Sequence, residues 1–199
     1  ERAEKKGVQI AAYGVCAGED LSQYVDASFD YVTMNIALCF IAERDKCLQE
    51  CFRVLKPGGK VLSTVWCANP FVDAIGVAME QFTGVPRPTN PPPVGPLGLA
   101  GSNAQEDLAK AAGLEPVHAE DWDVLIGCKN EGVHRAIAYI VVGAPLKKME
   151  ENGRVGATKE FGDLFVKISD EGSVPGLAGD GKGGYVFTNL CGMVVMAKA

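Results

Sequence analysis

The seven cysteines of this 199-residue chain include no C-x-x-C pair, and their number is odd. A disulfide frame and a paired-cysteine zinc knuckle are therefore poor readings, and reduced core thiols in an intracellular, cytoplasmic compartment are expected. There is little basic clustering either. The longest run is Lys147-Lys148 within a chain of formal net charge -6, which lacks the electrostatic footprint of a nucleic-acid binder. No apolar run reaches the roughly 18 residues of a bilayer span, and the N-terminus lacks a secretory pattern. The two histidines, His118 and His134, have no partner at metal spacing, so no metal site is expected. No internal repeat is visible, and no G-x-G-x-x-G follows any predicted strand, which disfavours a nicotinamide oxidoreductase.

What the chain does contain is 47% hydrophobic residues in alternating strand and helix patterns, the composition of one globular α/β domain over residues 1–199. Residues 8–16 and 29–41 read as strands, the second so apolar that it suits a central position. Between Glu43 and Lys56, Cys47, Leu48, Cys51, Phe52 and Leu55 recur at helical spacing, with Glu50 and Arg53 on the polar face. Pro57 stops that helix and Gly58-Gly59 reverse the chain tightly into the strand 60–66. Residues 69–84 read as a helix. Five prolines within 86–93 make 85–101 a loop or lid, expected to lie over the crevice at the strand ends. Ser102 and Gln105 have capping-box spacing for a helix that Gly113 ends. Strand 114–128, a helix from Glu131 stopping near Pro145, and a further helix over 158–169 follow. Tyr185–Leu190 and Met193–Ala199 read as a closing hairpin or edge pair. The near-match of Gly176–Gly183 to a phosphate loop reads instead as a surface hairpin turn, because Gly183 stands where a magnesium-binding hydroxyl belongs.

The stretch ASFDYVTMNIALCFIAERDKCLQECFRVLKPGGKVLSTVW, residues 27–66, resembles the central block of the class I S-adenosylmethionine-dependent methyltransferases, specifically the small-molecule type related to the ubiquinone and menaquinone methyltransferases. The segments DLAKAAGLEPV (107–117) and MVVMAKA (193–199) resemble its later helix and strands. The resemblance implies a Rossmann-like methyltransferase fold, mostly parallel with an antiparallel C-terminal strand. It also implies methyl transfer from S-adenosyl-L-methionine to a small-molecule acceptor. On the same basis Ala17, Gly18 and Glu19 flank the adenine, and Asn35, Ile36 and Ala37 lie beside the sulfonium and ribose. Trp66 and Asn69 wall the acceptor pocket, where an aromatic face attracts a cation.

Two departures from the family pattern accompany this reading. Cys16, Ala17 and Gly18 stand where the family usually reads Gly-Asp-Ala, so the adenine-binding carboxylate is missing unless Glu19 or Asp20 replaces it. The glycine-rich loop and ribose-binding acid are not found upstream of residue 27, from which an N-terminally incomplete domain is expected. The alternative is a non-catalytic methyltransferase-like scaffold. His118, His134 and Glu80 are nominal general bases, and nothing in the sequence selects a catalytic residue.

Overall fold

The computed structural model describes residues 4–7, 9, 14–87, 95, 98–99 and 102–199. Five strands form one sheet: β1 (Phe29–Asn35), β2 (Leu55–Ala68), β3 (Glu115–Cys128), β4 (Leu177–Gly179) and β5 (Tyr185–Ala197). Five helices accompany them: α1 (Arg44–Val54), α2 (Pro70–Thr83), α3 (Ser102–Ala111), α4 (Glu131–Glu151) and α5 (Ala157–Asp170). The strand order is β1-β2-β5-β3, with β4 paired to the start of β5 beyond the end of β2.

β1 and β2 are parallel, running from Tyr31 opposite Lys60 to Asn35 opposite Thr64, with α1 between them in sequence. This is the predicted arrangement of residues 29–35 and 60–66. β5 is antiparallel to β2, β3 and β4. Four strands therefore run one way and β5 the other, so an α/β sheet that is mostly parallel in direction still pairs largely through antiparallel ladders.

The turn after α1 is more compact than a helix-to-strand loop. α1 stops at Val54, because Pro57 disfavours helical geometry at Lys56. Leu55 already pairs with Phe29, and two steps along β1 correspond to five along β2, so Lys56–Gly59 bulges out of a continuing strand. Gly58 sits at φ +74, open to glycine at little cost. A Cβ on Gly59 would come within 2.9 Å of the Lys56 carbonyl and 3.1 Å of the Asp30 carbonyl. Lys198 ties the bulge from the far end of the chain. Its backbone exchanges hydrogen bonds with Gly58 and Gly59, both 2.9 Å, and its Nζ donates to the Phe52 and Leu55 carbonyls at 2.8 Å.

Side chains alternate across the sheet, and each face buries its own core. On one face Val61, Val65, Val194 and Met196 pack with Cys47, Leu48 and Cys51 of α1 and Ala109 of α3. On the other, Tyr185, Phe187 and Cys128 pack with Phe71 and Phe82 of α2, Ala138 and Leu146 of α4, and Phe161 and Phe165 of α5.

Several sequence expectations are corrected. The closing hairpin is one continuous 13-residue strand, β5, inside the sheet; neighbours on both sides supply ladder bonds that hold Cys191-Gly192 extended. α4 continues through Pro145 to Glu151, because Val142 and Leu146 are buried while the broken turn lies on the exposed side. Gln105 does not reach back to cap α3; it is fully buried and donates to the Gly192 carbonyl at 3.4 Å. Residues 14–16 are not in a strand, and 8 and 10–13 of that expected element lie outside the described residues. Most of the 85–101 lid also lies outside them. Of its described parts, the Gly95 amide donates to the Cys39 carbonyl at 3.0 Å and Leu99 is buried with Met34 and Leu38. Asp180–Gly184 is a hairpin turn, its Asp180 carboxylate accepting from the amides of Lys182 and Gly184.

Candidate functional site

The carboxyl ends of parallel strands open onto the crevice in which sheets of this type bind ligands. At the end of β1, Thr64 Oγ1 donates to Asn35 Oδ1 at 2.8 Å, and the Ile36 amide donates to both the carbonyl and the hydroxyl of Thr64 at 3.0 Å. Ile36 is held at φ +53. For a β-branched residue this left-handed geometry costs on the order of 1–3 kcal/mol, and strain of this kind concentrates at binding sites. Asn35 itself is exposed. Thr64, which organises the strand end, was not singled out from sequence; its place two residues before Trp66 at the end of a predicted strand was the available signal.

The second component is the loop before β1. Val15, Cys16, Ala17, Asp20, Ser22 and Gln23 line an open concavity of about 300 Å³. Beneath it, a Cβ on Gly18 would meet Cys47 Sγ and Ile41 Cδ1, each at 3.0 Å, so glycine lets the loop settle directly on the start of α1. Cys47 Sγ in turn lies 3.9 Å from Met34 Sδ, next to Asn35. One thiol thus joins Gly18 to the end of β1. Cys51 donates to Cys47, a bond that lowers the Cys47 thiol's pKa and, together with burial, pushes that of Cys51 far above the usual range.

Arg53 clamps the same loop. Its guanidinium donates to the carbonyls of Leu21 and Tyr24 at 2.9 Å, to Asp26 at 2.6 Å and to both oxygens of Glu50 at 2.8 Å. Glu50 also accepts from the Leu21 amide at 2.8 Å, and these bonds hold its carboxyl below the ordinary carboxylate range. Sequence reading placed Glu50 and Arg53 on a solvated helix face; both instead fasten the loop to it. The Ser22 hydroxyl and then its amide, which donates to Asp20 Oδ1 at 3.1 Å and closes the turn, hold the Asp20 carboxyl below its usual range.

The wall residues separate. Trp66 is half-buried and, by strand alternation, shares a sheet face with Thr64 and Asn35, and with Trp122 across Cys191. Trp122 was missed from sequence because the pairing that brings it there is long-range. Asn69 is buried as the N-cap of α2, its Oδ1 accepting from the Val72 amide at 3.1 Å. The nominal bases are scattered. His118 is exposed and 3.4 Å from Glu120, and Glu80 is half-buried on α2. His134 is fully buried, stacked on Tyr185 at 3.9 Å and on Phe165 at 4.5 Å, with Nε2 2.9 Å from Ser169 Oγ. Burial lowers its pKa to about 4, so it is a neutral core ring.

Comparison with known proteins bears on the family resemblance and the fold. Residues 1–63 match the family model of a methyltransferase domain. The chain is 38% identical over 69 residues to human thiol S-methyltransferase TMT1B, covering 35% of this chain and 28% of that protein. Over 139 residues it is 29% identical to the ubiquinone/menaquinone biosynthesis C-methyltransferase UbiE of Yersinia pestis, covering 70% of this chain and 52% of that protein. The chain thus spans between about a quarter and about a half of these curated relatives. Among solved structures, a Bacillus halodurans protein described as a methyltransferase superposes with a TM-score of 0.54 at 15% identity, covering 98% of this chain and 74% of that one. YcgJ of Bacillus subtilis gives 0.53 at 16%, covering 99% and 75%. The resemblance read from residues 27–66 is borne out, and the fold is Rossmann-like, of the methyltransferase kind. Among the described residues, no helix is long and apolar enough to cross a membrane.

Proposed function

From the premise of a chain that carries the sequence block and the fold of small-molecule methyltransferases, we propose that it takes part in methyl transfer from S-adenosyl-L-methionine to a small-molecule acceptor. The observation that carries this reading is the strained Ile36 at the end of β1, held twice by Thr64 beside an exposed Asn35. Such strain persists only where the surroundings impose it, and here it lies where the fold opens its crevice.

The residues present fit the adenosine half of that cofactor. The concavity at Val15–Gln23 is of a size for a purine ring. The backbone of Ala17 and Gly18 supplies groups for its edge, and Glu19 or Asp20, of which Asp20 lines the concavity, replaces the carboxylate missing at Ala17. Asn35, Ile36 and Ala37 border the ribose and sulfonium side. Trp66 and Asn69 bound the acceptor, Asn69 through the first turn of α2 that it caps. When bound, the cofactor supplies an activated methyl group, so what the protein contributes is proximity, orientation and exclusion of water. Arg53 and Gly18 serve orientation, by fixing the loop to α1.

Binding of S-adenosylhomocysteine followed by amide chemical shifts tests the reading. Saturable shifts at Ala17, Gly18, Asn35 and Ile36 are expected. The described residues supply neither a ribose carboxylate nor a glycine-rich loop, so a dissociation constant on the order of 1 mM is expected, two or three charged contacts weaker than a complete site. Gly18→Val and Asn35→Ala should each weaken it further. Titration without saturable shifts at these four amides would leave the non-catalytic scaffold reading in its place.

A further inference from the structure

Helix α4 is apolar on both faces. His134, Ala138, Val142 and Leu146 are buried in the aromatic core, while Val133, Ile140 and Val141 are 41%, 83% and 44% exposed. Ala136 and Ala144 are exposed as well, and no charged residue occurs between Arg135 and Lys147. The outward face of α1, by contrast, carries Arg44, Lys46, Glu50 and Arg53. A contiguous exposed apolar strip of this kind marks a contact surface.

Its spacing says what the strip fits. The residues opposite the buried stripe are Val133, Ala136, Ile140, Ala144 and Lys147. Their separations read the same in both directions from Ile140, and their sizes alternate between large and small. Laid antiparallel on a second copy about a two-fold axis through Ile140, Ala136 meets Ala144, Val133 meets the aliphatic stem of Lys147, and Gly143 meets Ile137. The small residues let the helix axes approach closely around Ile140. Gly143 leaves room on this side, since a Cβ there would meet nothing within 4 Å. Isologous contacts require this self-complementarity.

We infer that the outer face of α4 is a docking surface for a second copy of this chain, in a two-fold antiparallel helix pair. An anionic lipid surface is a worse fit. Lys147 and Lys148 are followed by Glu150 and Glu151, and the chain carries a net charge of -6. The stripe is about 21 Å long and one helix wide, less than the roughly 800 Å² per partner of a standard interface, so association is weak and reversible, with a dissociation constant on the order of 0.1 mM.

Sedimentation velocity on the 199-residue protein, from about 10 μM to about 500 μM, reads this directly through mass action. The average mass is expected to climb from one chain toward two. Ile140→Glu, at an exposed position, and Gly143→Leu, at a half-buried one, are each expected to weaken association at least tenfold, the first with the thermal midpoint unchanged and the second with it unchanged or raised, because leucine favours a helix interior over glycine. A wild-type protein that stays at the mass of one chain throughout overturns the inference. So does association that survives both substitutions. Flotation with neutral or anionic phospholipid vesicles that depends on Ile140, from a protein monomeric in solution, would also overturn it and assign the strip to lipid.

Discussion

The two faces of the sheet bury chemically different cores. Under β1 and β2 the core is aliphatic and sulfur-rich, with Met34, Cys39, Cys47 and Cys51 among valines and leucines. On the opposite face, around the start of β5, it is aromatic, with Phe71, Phe161, Phe165, Tyr185 and Phe187 surrounding His134. The polar groups differ in the same way. On the aromatic face they form a short chain beside unpaired groups: His134 Nε2–H donates to Ser169 Oγ, Ser169 donates to the Phe165 carbonyl and the Tyr185 hydroxyl donates to Asp170 at 2.8 Å, while among the described residues His134 Nδ1 and the buried Asn189 side chain find no partner. On the sulfur-rich side, hydrogen bonds are directed outward, fastening a loop to α1. One core is filled by stacked rings and the other lies beneath a loop fastened to α1. The loop that lines the concavity belongs to the second, where the family match also lies, whereas Asn35, Thr64 and Trp66 lie on the sheet face of the aromatic core.

The sharpest way to break this contrast is to remove bulk from each core. Phe165→Ala should cost about 4 kcal/mol, because the ring is shared by His134, Phe71 and Phe161. Leu48→Ala should cost about 3 kcal/mol, since flexible sulfur side chains fill part of the space it leaves. Urea unfolding at constant slope measures both, and a larger loss at Leu48 would reverse the ranking of the two cores.

Acid should separate the faces next. Burial holds His134 near a pKa of about 4, below the value of about 6.5 it takes when unfolded. Between those values the unfolded state binds the extra proton, so stability is complete above about pH 6.5 and is lost as pH falls toward 4, by up to about 3 kcal/mol. His134→Phe should flatten that dependence in urea unfolding at pH 7 and pH 4.5. Equal slopes in the variant and wild type would place the acid sensitivity elsewhere.

The remaining two tests sharpen the site side. Gly58→Ala should lower stability by about 1–2 kcal/mol, because alanine resists the left-handed geometry of the bulge. Arg53→Gln should alter global stability least, yet raise proteolytic cleavage within residues 14–28 severalfold as the loop leaves α1. Unchanged cleavage there would mean that the packing of Gly18 on Cys47 suffices to hold the loop.

Much of this architecture was legible in the sequence where local signals govern. Helical periodicity, Pro57 and Gly58 specify β1–α1–β2 without distant information, and Asn69 announces α2. The misread segments depend on neighbours far away in sequence. Tyr185–Ala197 looks divided at Cys191-Gly192 until strands on both sides extend it, and Pro145 looks terminal until the burial of Val142 and Leu146 carries α4 past it. The same holds at the site. Residues on the strand ends could be named from the family pattern, whereas the roles of Thr64, Arg53 and Trp122 rest on pairings across 28, 32 and 69 positions. Gln105, read as a cap, shows the opposite error, in which a good local match yields to a buried contact with β5.

Lys198 gives the fold a property that concerns its time course. The bulge that launches β2 is closed by the Lys198 side chain, 146 and 143 residues downstream of its partners Phe52 and Leu55, and by the Lys198 backbone, hydrogen-bonded to Gly58 and Gly59. During synthesis, α1 and β1 therefore emerge long before the residue that caps them, and β2 must wait for β5 as its antiparallel neighbour. Contacts so distant in sequence require loop closure before they yield any stabilisation, which slows the search. The four hydrogen bonds of Lys198 that close the helix–strand reversal therefore form only once the end of β5 has docked.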